Sequence, residues 1–345
     1  MARISQRKED HLRIALQPEV QEAAMLSFAA LRLEHNALPE VDLADVDLTT
    51  EFLSHRLRAP LLIGAMTGGT DRARAINRNL AAAAEATGVA FSVGSQRAAL
   101  VHPELRSTYA VRDVAPTVML FANLGAVQLR RGFGFRECQD AIAMIQADGL
   151  ILHVNALQEA LQQDGDTTFS GLEEAIGSIC HQLSQPVIVK EVGFGISASV
   201  AARLRAAGVA AVDVQGAGGT SWSRIEGTRT SSARLAHAAD AFAGWGIPTP
   251  LCIAQVRACC PDLPLIGGGG IRSGVDAAKA LALGADVVTA AQPFLEPATL
   301  SMEAVIERIE QMLFELRVAM FTTGCQRIND LRQVPIYLGA HRYPE

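Results

Sequence analysis

A cluster of polar side chains follows an apolar run near the middle of the sequence. The run at 149–152 is GLIL, and His153, Asn155, Gln158 and Glu159 follow it within seven residues. A short apolar run of this kind is typical of a strand that is buried on both faces. An imidazole, two amides and a carboxylate can orient a ligand, move protons or hold a metal ion. The stretch therefore predicts a ligand site at the end of a core strand.

The same pattern repeats along the chain from residue 60. Short apolar runs end in glycine or a small polar residue, and Ala-rich segments with helical spacing follow them. The eight runs are Pro60–Ala65, Val89–Gly94, Thr117–Ala122, Leu150–Val154, Pro186–Glu191, Ala210–Val214, Pro264–Gly267 and Asp286–Ala290. Strands that alternate with helices indicate an α/β protein with a parallel sheet. Eight such units favour a closed (β/α)8 TIM barrel over an open sheet.

Helical spacing is clearest at Ala73–Ala86, Ser197–Ala207 and Val275–Leu283. The third of these segments follows Ser273, a suitable N-cap, and stops at Gly284. Serine accepts hydrogen bonds from the first N–H groups of a helix, and glycine tolerates the left-handed conformation that ends one. These boundaries indicate regular helices between the strands.

A single domain over residues 1–345 is expected, because this length suits one large barrel with insertions. Residues 1–58 precede the repeat and predict an N-terminal extension, largely helical, that partly covers a barrel mouth and contributes to the active site. Residues 215–248 form a long connection after the sixth strand and are rich in Gly, Ser and Thr. A connection that long is usually functional or disordered, so a lid that orders over ligand is the favoured interpretation. A mobile loop without a task is the alternative.

Composition excludes several classes of function. The formal net charge of −6 disfavours nucleic acid and anionic membrane surfaces as partners. The six cysteines show no C-x-x-C pair and no zinc-like spacing, which indicates free thiols in a reducing cytoplasm. The first fifteen residues are rich in charge, so a signal peptide is not expected. Because the net charge is negative, an anionic ligand must be bound by positive groups within its own site.

The run GGGGIRSG at 267–274 follows the seventh predicted strand. Glycine lets a backbone approach a ligand closely, and the N–H groups at the start of the next helix favour an anion. Barrel phosphate sites commonly lie after strands seven and eight. The run predicts a phosphate site for flavin mononucleotide (FMN) or a sugar phosphate. Glycines that serve only a tight turn are the alternative.

Polar groups at other strand ends suit a flat aromatic ring. Lys190 can form a Schiff base or place its ammonium beside the N1–C2=O edge of a flavin. A structural salt bridge with Glu191 is the alternative. Asn123 and Ser95 suit hydrogen bonds to the edge of a heterocycle, and Thr67 precedes two glycines that allow close approach. These residues favour a flavin held across the barrel mouth.

Taken in order, the motifs of this chain resemble those of the type II isopentenyl-diphosphate isomerases. The pairing of an N-terminal RKxxH with LHxNxxQE is the most diagnostic part of the resemblance. The motifs are RKEDH at 7–11, GAMTGG at 64–69, GSQRA at 94–98, ANLGAVQL at 122–129, LHVNALQE at 152–159, PVIVKEVGFG at 186–195, GAGGTSW at 216–222 and GGIRSG at 269–274. The resemblance implies an FMN-dependent enzyme that interconverts isopentenyl and dimethylallyl diphosphates.

The resemblance also implies a role for each site residue. The implied substrate contacts are Arg7, Lys8, His11, Ser95, Gln96, Arg97 and Gln158. Glu159 would hold a magnesium ion that bridges to the diphosphate. The implied flavin contacts are Ala65, Met66, Thr67, Ser95, Asn123, Lys190, Thr220, Gly270, Ile271, Arg272, Ala291 and Gln292. Gln215 departs from the family, in which some members have serine near the flavin, and this puts one contact in doubt.

The implied reaction adds one proton, removes another and involves no net oxidation. Neutral Gln158, Asn155 and His153 can orient a cation-like allyl intermediate without trapping it, and they are the expected catalytic residues. His153 as a core histidine and Asn155 as a loop-fixing residue are the alternatives. Reduced FMN is the expected acid and base, with NAD(P)H as its reductant. The family is homo-oligomeric, so a tetramer or octamer is expected.

Two other functions compete with this one. An FMN-dependent oxidoreductase of 2-hydroxy acids could use the same barrel, but it needs a histidine base near the flavin on a late strand. No His-Gly pair follows Lys190, and His237 lies in a predicted helical region. A non-catalytic phosphate-binding barrel is the second alternative, and it would not require Gln158 and Glu159 beside a flavin site.

Overall fold

The fold is a closed barrel of eight parallel strands, in agreement with the predicted TIM barrel. The computed structural model describes residues 2–21 and 26–343, with side chains from residue 6 onward. Each strand pairs with the next along the chain, and the last pairs with the first at Val288 and Leu61. The strands are β1 Leu61–Ile63, β2 Ala90–Ser92, β3 Leu120–Gly125, β4 Gly149–His153, β5 Val187–Lys190, β6 Ala211–Asp213, β7 Leu265–Gly268 and β8 Val287–Ala290.

Helices surround the barrel and cover its mouth. They are α1 Ala2–Ala15, α2 Asp71–Thr87, α3 Arg97–Val101, α4 Phe135–Ile145, α5 Ala156–Leu161, α6 Leu172–Gln182, α7 Ala198–Ala206, α8 Trp222–Arg229, α9 Ala233–Ala241, α10 Thr249–Cys259, α11 Gly274–Ala282, α12 Gln292–Leu300 and α13 Met302–Phe321. Short 3-10 turns span Pro18–Val20, Phe28–Ala30, Leu43–Asp45, Pro103–Thr108, Ala126–Arg130 and Ile328–Gln333. Across the described ranges, no helix has both the length and the apolar character that a membrane crossing requires.

Five short strands lie outside the barrel. Leu31–Leu33 pairs antiparallel with Ile336–Leu338, which also pairs with His341–Arg342. Thr50–Phe52 and His55–Leu57 form a separate hairpin. The first of these sheets joins the N-terminal extension to the C-terminal segment.

The predicted helix boundaries agree with the structure within about one residue at α11. The Ser273 side chain accepts a hydrogen bond from the Asp276 N–H, and the Asp276 carboxylate accepts one from the Ser273 N–H, which completes a capping box. The third strand begins later than predicted, at Leu120 instead of Thr117. Glu85 at the end of α2 accepts hydrogen bonds from the N–H groups of Thr117 and Val118, so these donors are not available to a strand.

The N-terminal extension serves both ends of the barrel and is less helical than predicted. Among its described residues, only α1 and short 3-10 turns are helical, and α1 lies over the mouth at the carboxyl ends of the strands. Phe52 and Leu57 of the hairpin instead pack on Leu62, Ala90 and other side chains inside the barrel. Ala90 and several of the other contacting residues are the first residues of their strands. The hairpin therefore closes the mouth at the amino ends of the strands. Burial of its two apolar side chains favours a strand pair within an extension that was predicted to be largely helical.

The long connection after β6 is present and carries α8 and α9. Ile225 of α8 is fully buried against Ile14 and Val20 of the N-terminal segment. The Gly, Ser and Thr content disfavours helix, but burial of this one apolar face offsets that preference. The connection and α1 therefore form a joint cover over the mouth.

Gly274 permits the close approach of α11 to α13, and its replacement should destabilise the fold. A Cβ at Gly274 would lie 2.1 Å from the Met312 carbonyl oxygen and 2.3 Å from the Leu316 nitrogen. Backbone atoms cannot rotate away, so we expect Gly274→Ala to lower the free energy of unfolding by about 1–3 kcal/mol. Gly244→Ala is the matched control, because no atom lies within 4 Å of its Cβ position. Denaturant unfolding with equal effects of the two substitutions would contradict this packing.

Candidate active site

A cavity opens where the carboxyl ends of the barrel strands meet α1 and α8. The loops after all eight strands contribute to its wall, as does the polar face of α1. With one exception, every predicted site residue lines it. The lining residues from the prediction are Arg7, Lys8, His11, Ala65, Met66, Thr67, Ser95, Arg97, Asn123, His153, Asn155, Gln158, Glu159, Lys190, Thr220, Gly270, Ile271, Arg272, Ala291 and Gln292.

Gln96 is the exception, and its contact with substrate stays a prediction. The side chain is fully buried and lies outside the cavity lining. Its amide nitrogen donates to the Ala141 carbonyl at 2.8 Å, and its oxygen accepts from the Asn123 N–H at 3.0 Å. Both polar ends are therefore used to join the loop after β2 to α4 and β3. The Gln96 side chain therefore holds the loop that carries Ser95 and Arg97 in place.

Carboxylates bind the N–H groups at the start of α11, the helix that follows GGGGIRSG. The Asp276 carboxylate accepts hydrogen bonds from the N–H groups of Arg272 and Ser273, and Glu315 accepts one from Gly274. The phosphate site predicted from this run stays a prediction, and Gly270, Ile271 and Arg272 line the cavity. The glycines have a structural role as well, because a Cβ at Gly270, which has φ +77°, would lie 2.5 Å from the Gly218 carbonyl oxygen. They bring the loops after β6 and β7 together.

His153 is a neutral histidine held in one orientation. Its Nδ1 lies 2.9 Å from Asn123 Oδ1, an acceptor, so Nδ1 carries the proton and Nε2 is an acceptor. Burial lowers the pKa of His153 to about 3, with smaller effects from the nearby positive charges of Lys190 and Lys8. The imidazole therefore carries no charge at neutral pH.

Gln158 is fixed at both ends of its amide. Its oxygen accepts from Asn155 Nδ2 at 3.1 Å, and its nitrogen donates to Glu226 Oε1 at 3.1 Å. The Asn155 side chain also donates to Glu159 at 3.0 Å, while its buried Oδ1 has no partner within the described part of the chain. Asn155 thus links the amide to the carboxylate and leaves one acceptor atom for a ligand.

Glu226 connects the elements that close the mouth. Its carboxylate is buried and accepts from His11 Nε2 at 3.0 Å, from Gln158 and from Arg229. Burial would raise the pKa of Glu226, but the hydrogen bonds and charges of His11, Gln158 and Arg229 together lower it below its usual value. Trp222 meets the His11 ring edge-on, with ring centroids 5.2 Å apart. α1 is therefore bound to α8 beside the amide of Gln158.

Glu159 lies at the other side of Gln158 and is held by three donors. It accepts from Asn155 at 3.0 Å, from Gln162 at 3.2 Å and from the Asp166 N–H at 2.7 Å. Gly165 allows this turn, because a Cβ there would lie 1.9 Å from the Glu159 carbonyl oxygen. Within the described ranges, no group of three His, Cys, Asp or Glu residues is placed to hold a metal ion.

Asp166 binds Arg97, one of the cations that line the cavity. Its carboxylate lies 3.0 Å from Arg97 Nη1 and 3.2 Å from Arg131 Nε, and it accepts from Gln128 at 3.0 Å. Burial would raise the pKa of Asp166, but the Gln128 amide and the two guanidinium groups lower it. Asp166 therefore stays charged and orients Arg97 along the wall of the cavity.

α1 contributes two further cations. Burial lowers the pKa of Arg7, with a smaller effect from the positive charge of Arg97. Burial and the neighbouring Arg7 lower the pKa of Lys8 to about 7. The Lys8 ammonium donates to the Ser95 carbonyl at 3.1 Å and to the Tyr109 hydroxyl at 2.7 Å. The two partners are neutral, so the positive charge of Lys8 is not neutralised by its hydrogen bonds.

Lys190 lies at the centre of the mouth and is not paired with the carboxylate of Glu191. Its ammonium donates to the Glu191 main-chain carbonyl at 2.7 Å, while that carboxylate accepts from the N–H groups of Val192, Gly193 and Phe194. Burial lowers the pKa of Lys190 and the negative charges of Asp213 and Glu191 oppose this effect. Gln215 binds Asp213 at 2.9 Å and so supports the base of the cavity.

The donors and acceptors of the cavity fit a flavin and an anion. Amide, hydroxyl and ammonium groups of Asn123, Thr67 and Lys190 suit the polar edge of an isoalloxazine ring. Arg272 lines the cavity beside the glycine loops and is oriented by its hydrogen bond to the Gly218 carbonyl. Arg7 and Lys8 of α1 and Arg97 also line the cavity. The unpaired oxygen of Asn155 and the carboxylate of Glu159 suit a hydrated magnesium ion.

Several residues of the site were not predicted from the sequence. Glu226 and Trp222 were assigned only to a possible lid, and Asp166, Gln128, Gln162 and Arg229 were not singled out. Gln128 lies within the ANLGAVQL motif, and Asp166 follows LHVNALQE by seven residues. Their motif positions were the available indication, but only the tertiary contacts show that they bind Arg97 and Glu159.

Comparison with known proteins identifies close relatives. A family described as FMN-dependent dehydrogenase matches residues 153–337. A protein of Xanthobacter autotrophicus, named isopentenyl-diphosphate delta-isomerase, is 51% identical over 332 residues, covering 96% of this chain and 96% of the relative. A protein of Nostoc sp. with the same name is 47% identical, covering 96% of this chain and 95% of the relative.

Solved structures agree on the fold. A crystal structure of mandelate oxidase with benzoyl-formic acid has a TM-score of 0.65 at 17% identity, covering 97% of this chain and 98% of the other. A mandelate oxidase variant with (S)-mandelic acid has a TM-score of 0.63 at 18% identity, covering 98% of each chain. These similarities support the barrel fold alone, whereas the closer relatives match nearly the full length. The chain belongs to the FMN-dependent, type II isopentenyl-diphosphate delta-isomerase family, as its motifs indicated.

Proposed function

We propose that this protein interconverts isopentenyl and dimethylallyl diphosphate with reduced FMN and Mg²⁺. The observation that carries the proposal is the position of Gln158, a neutral amide that Asn155 and Glu226 hold within a cavity that three cations also line. Arg7, Lys8 and Arg97 line the same cavity as the flavin-binding loops. The relatives named isopentenyl-diphosphate delta-isomerase support this choice of reaction. NAD(P)H is the proposed source of electrons for the flavin.

The cations bind the diphosphate and so position the hydrocarbon part of the substrate. Charge-assisted hydrogen bonds from Arg7, Lys8 and Arg97 are stronger than neutral ones. Glu159 would hold Mg²⁺, which would supply further positive charge for the diphosphate. Binding energy gained at this end of the substrate serves to orient the reacting carbons, which are remote from it.

The neutral groups orient the reacting carbons and exclude strong nucleophiles. Bound reduced FMN supplies an electron-rich ring and an N5 atom that can exchange protons. Gln158 cannot rotate freely, because Asn155 and Glu226 bind both ends of its amide. His153 stays uncharged and does not repel positive charge that develops in the allyl group. The cover formed by α1 and α8 excludes water that would trap such a cation.

An anaerobic assay tests the proposed reaction. The protein is supplied with dithionite-reduced FMN and Mg²⁺, and formation of dimethylallyl diphosphate is followed directly. We expect product without stoichiometric consumption of NAD(P)H, because the reaction is redox-neutral. Reduction of FMN by a 2-hydroxy acid, without isomerisation, would instead indicate an oxidoreductase, the reaction of the alternative on the same barrel.

Arg7→Ala and Gln158→Asn should affect different kinetic constants. Loss of Arg7 removes a charge-assisted contact to the diphosphate, so KM should rise about tenfold or more with kcat little changed. Asparagine at position 158 is one methylene shorter and cannot reach both Asn155 and Glu226. We expect kcat to fall by about 100-fold, since small misplacements cost that much. Steady-state kinetics with the reverse pattern would contradict both roles, and FMN content serves as the control.

Glu159→Gln should weaken the response to magnesium. The amide keeps the volume of the side chain but removes the negative charge that binds Mg²⁺. The Mg²⁺ concentration for half-maximal activity should rise by about tenfold or more, which corresponds to about 1.4 kcal/mol. Glu174→Gln, an exposed change on α6, is the matched control. An unchanged Mg²⁺ titration of Glu159→Gln would place the metal elsewhere.

Diphosphate binding should weaken as pH rises above about 7. In the free protein Lys8 has a pKa of about 7, so its ammonium loses its proton above that value. A bound anion favours the charged form, so binding takes up a proton in this range. Arg7 faces Lys8 and stays charged, while burial lowers the pKa of His153 to about 3 and raises that of Tyr109. These two groups therefore stay neutral.

The measurement is the affinity for inorganic pyrophosphate between about pH 6 and pH 8.5, a range that brackets the pKa of Lys8. Lys8→Met is the control, because it reports the ionisation of pyrophosphate itself without a titrating group at position 8. The affinity of the unmodified protein should fall more steeply with pH than that of Lys8→Met. Equal slopes would show that Lys8 does not titrate beside the anion.

A further inference from the structure

Tyr109 lies behind the Lys8 ammonium and outside the cavity lining. It is fully buried, and it belongs to the loop that follows the 3-10 turn Pro103–Thr108. Its hydroxyl donates to the Ser95 carbonyl at 2.7 Å and accepts from Lys8 Nζ at 2.7 Å. Lys8 also donates to the same carbonyl at 3.1 Å. The three groups form a closed triangle of hydrogen bonds at the edge of the diphosphate site.

The loop after β1 is shaped to admit the Tyr109 ring. A Cβ at Gly68 would lie 2.0 Å from Tyr109 Cε1 and 2.4 Å from its Cζ. The Gly69 N–H donates to Thr108 at 2.9 Å, and Asn77 donates to the carbonyls of Thr67 and Thr108. These bonds hold the Tyr109 segment against the GAMTGG motif. The aromatic ring therefore has a fixed place beneath the lysine side chain.

We propose that Tyr109 is a positioning residue for the diphosphate site, because its hydroxyl directs the Lys8 ammonium toward the cavity. The role rests on the proposed function, since it assumes that Lys8 binds the diphosphate. Lysine has a flexible four-carbon stem and three N–H donors. Tyr109 and Ser95 use two of these donors and leave the third for an anion. The neighbouring guanidinium of Arg7 would otherwise repel the ammonium from this position.

The neutral character of both partners is essential to this role. A carboxylate in place of the Tyr109 hydroxyl would neutralise Lys8 and compete with the phosphate oxygens for it. A phenol and a carbonyl orient the ammonium but leave its charge for the ligand. Burial raises the pKa of Tyr109, so the phenol keeps its proton and cannot become such a competitor.

The test is a double-substitution cycle with Mg²⁺-pyrophosphate as the probe and the full-length, FMN-loaded protein. Tyr109→Phe keeps the ring and removes the hydroxyl, and we expect about tenfold weaker binding of pyrophosphate. In the Lys8→Met background, the same substitution should weaken binding less than about twofold, because its effect acts through Lys8. In turnover assays KM should rise for Tyr109→Phe while kcat and FMN content stay the same.

Tyr337→Phe is the matched control, because its hydroxyl binds Glu34 far from the cavity lining. Unchanged pyrophosphate binding by Tyr109→Phe would overturn the role of Tyr109. An equal loss with and without Lys8 would also overturn it, because the hydroxyl would then be merely structural. If Tyr109→Phe does not fold, the decisive variant is Gly68→Ala, which displaces the ring and should weaken pyrophosphate binding only when Lys8 is present.

A separate outcome concerns the proposed function. If the unmodified protein does not bind Mg²⁺-pyrophosphate, the diphosphate site itself is wrong, and the role of Tyr109 is overturned with it. If the unmodified protein binds the probe and Tyr109→Phe binds it equally well, only the role of Tyr109 is wrong. The two failures therefore give different results.

Discussion

The buried carboxylate of Glu226 is the interaction on which the closed mouth depends. It accepts hydrogen bonds from His11 on α1, from Gln158 on α5 and from Arg229 on α8. A buried charge with fewer partners would be costly, so each donor is held firmly in place. One side chain therefore couples the cover of the cavity to the orientation of the central amide. Movement of α8 away from the barrel would also release Gln158 from Glu226.

The electrostatics of the cavity are arranged locally and oppose the charge of the whole chain. The protein has a formal net charge of −6, yet Arg7, Lys8 and Arg97 converge on one wall. Arg97 is oriented by Asp166, a carboxylate, whereas Lys8 is oriented by neutral groups. The two modes differ in how much positive charge remains for a ligand. Burial and the neighbouring charge of Arg7 lower the pKa of Lys8 to about 7.

Several glycines of this chain let protein groups approach one another closely. Gly68 admits the ring of Tyr109, and Gly274 admits the backbone of α13. The sequence pattern alone favoured a ligand as the reason for such glycines in GGGGIRSG. The structure also shows that the first N–H groups of α11 are bound by Asp276 and Glu315. The space that glycines leave is thus used both by the predicted ligand and by other parts of the protein.

The sequence by itself determined the barrel, the order of its strands and the set of residues at its mouth. Apolar runs at a regular spacing dictate buried parallel strands, and closure then brings all their carboxyl ends together. Residues as distant as Met66 and Gln292 could therefore be assigned to one cavity before any contact was known. The motifs between residues 7 and 274 also made the family recognisable from the sequence.

Only the tertiary structure decided which polar groups face the cavity and which support it. Gln96 stands between Ser95 and Arg97 in the sequence, but its amide is used by Ala141 and Asn123. Glu226, Asp166 and Tyr109 act across separations of up to 215 residues, as in the bond between His11 and Glu226. Residue type and local spacing do not encode such pairings, because hydrogen-bond partners are chosen by the packing of whole elements.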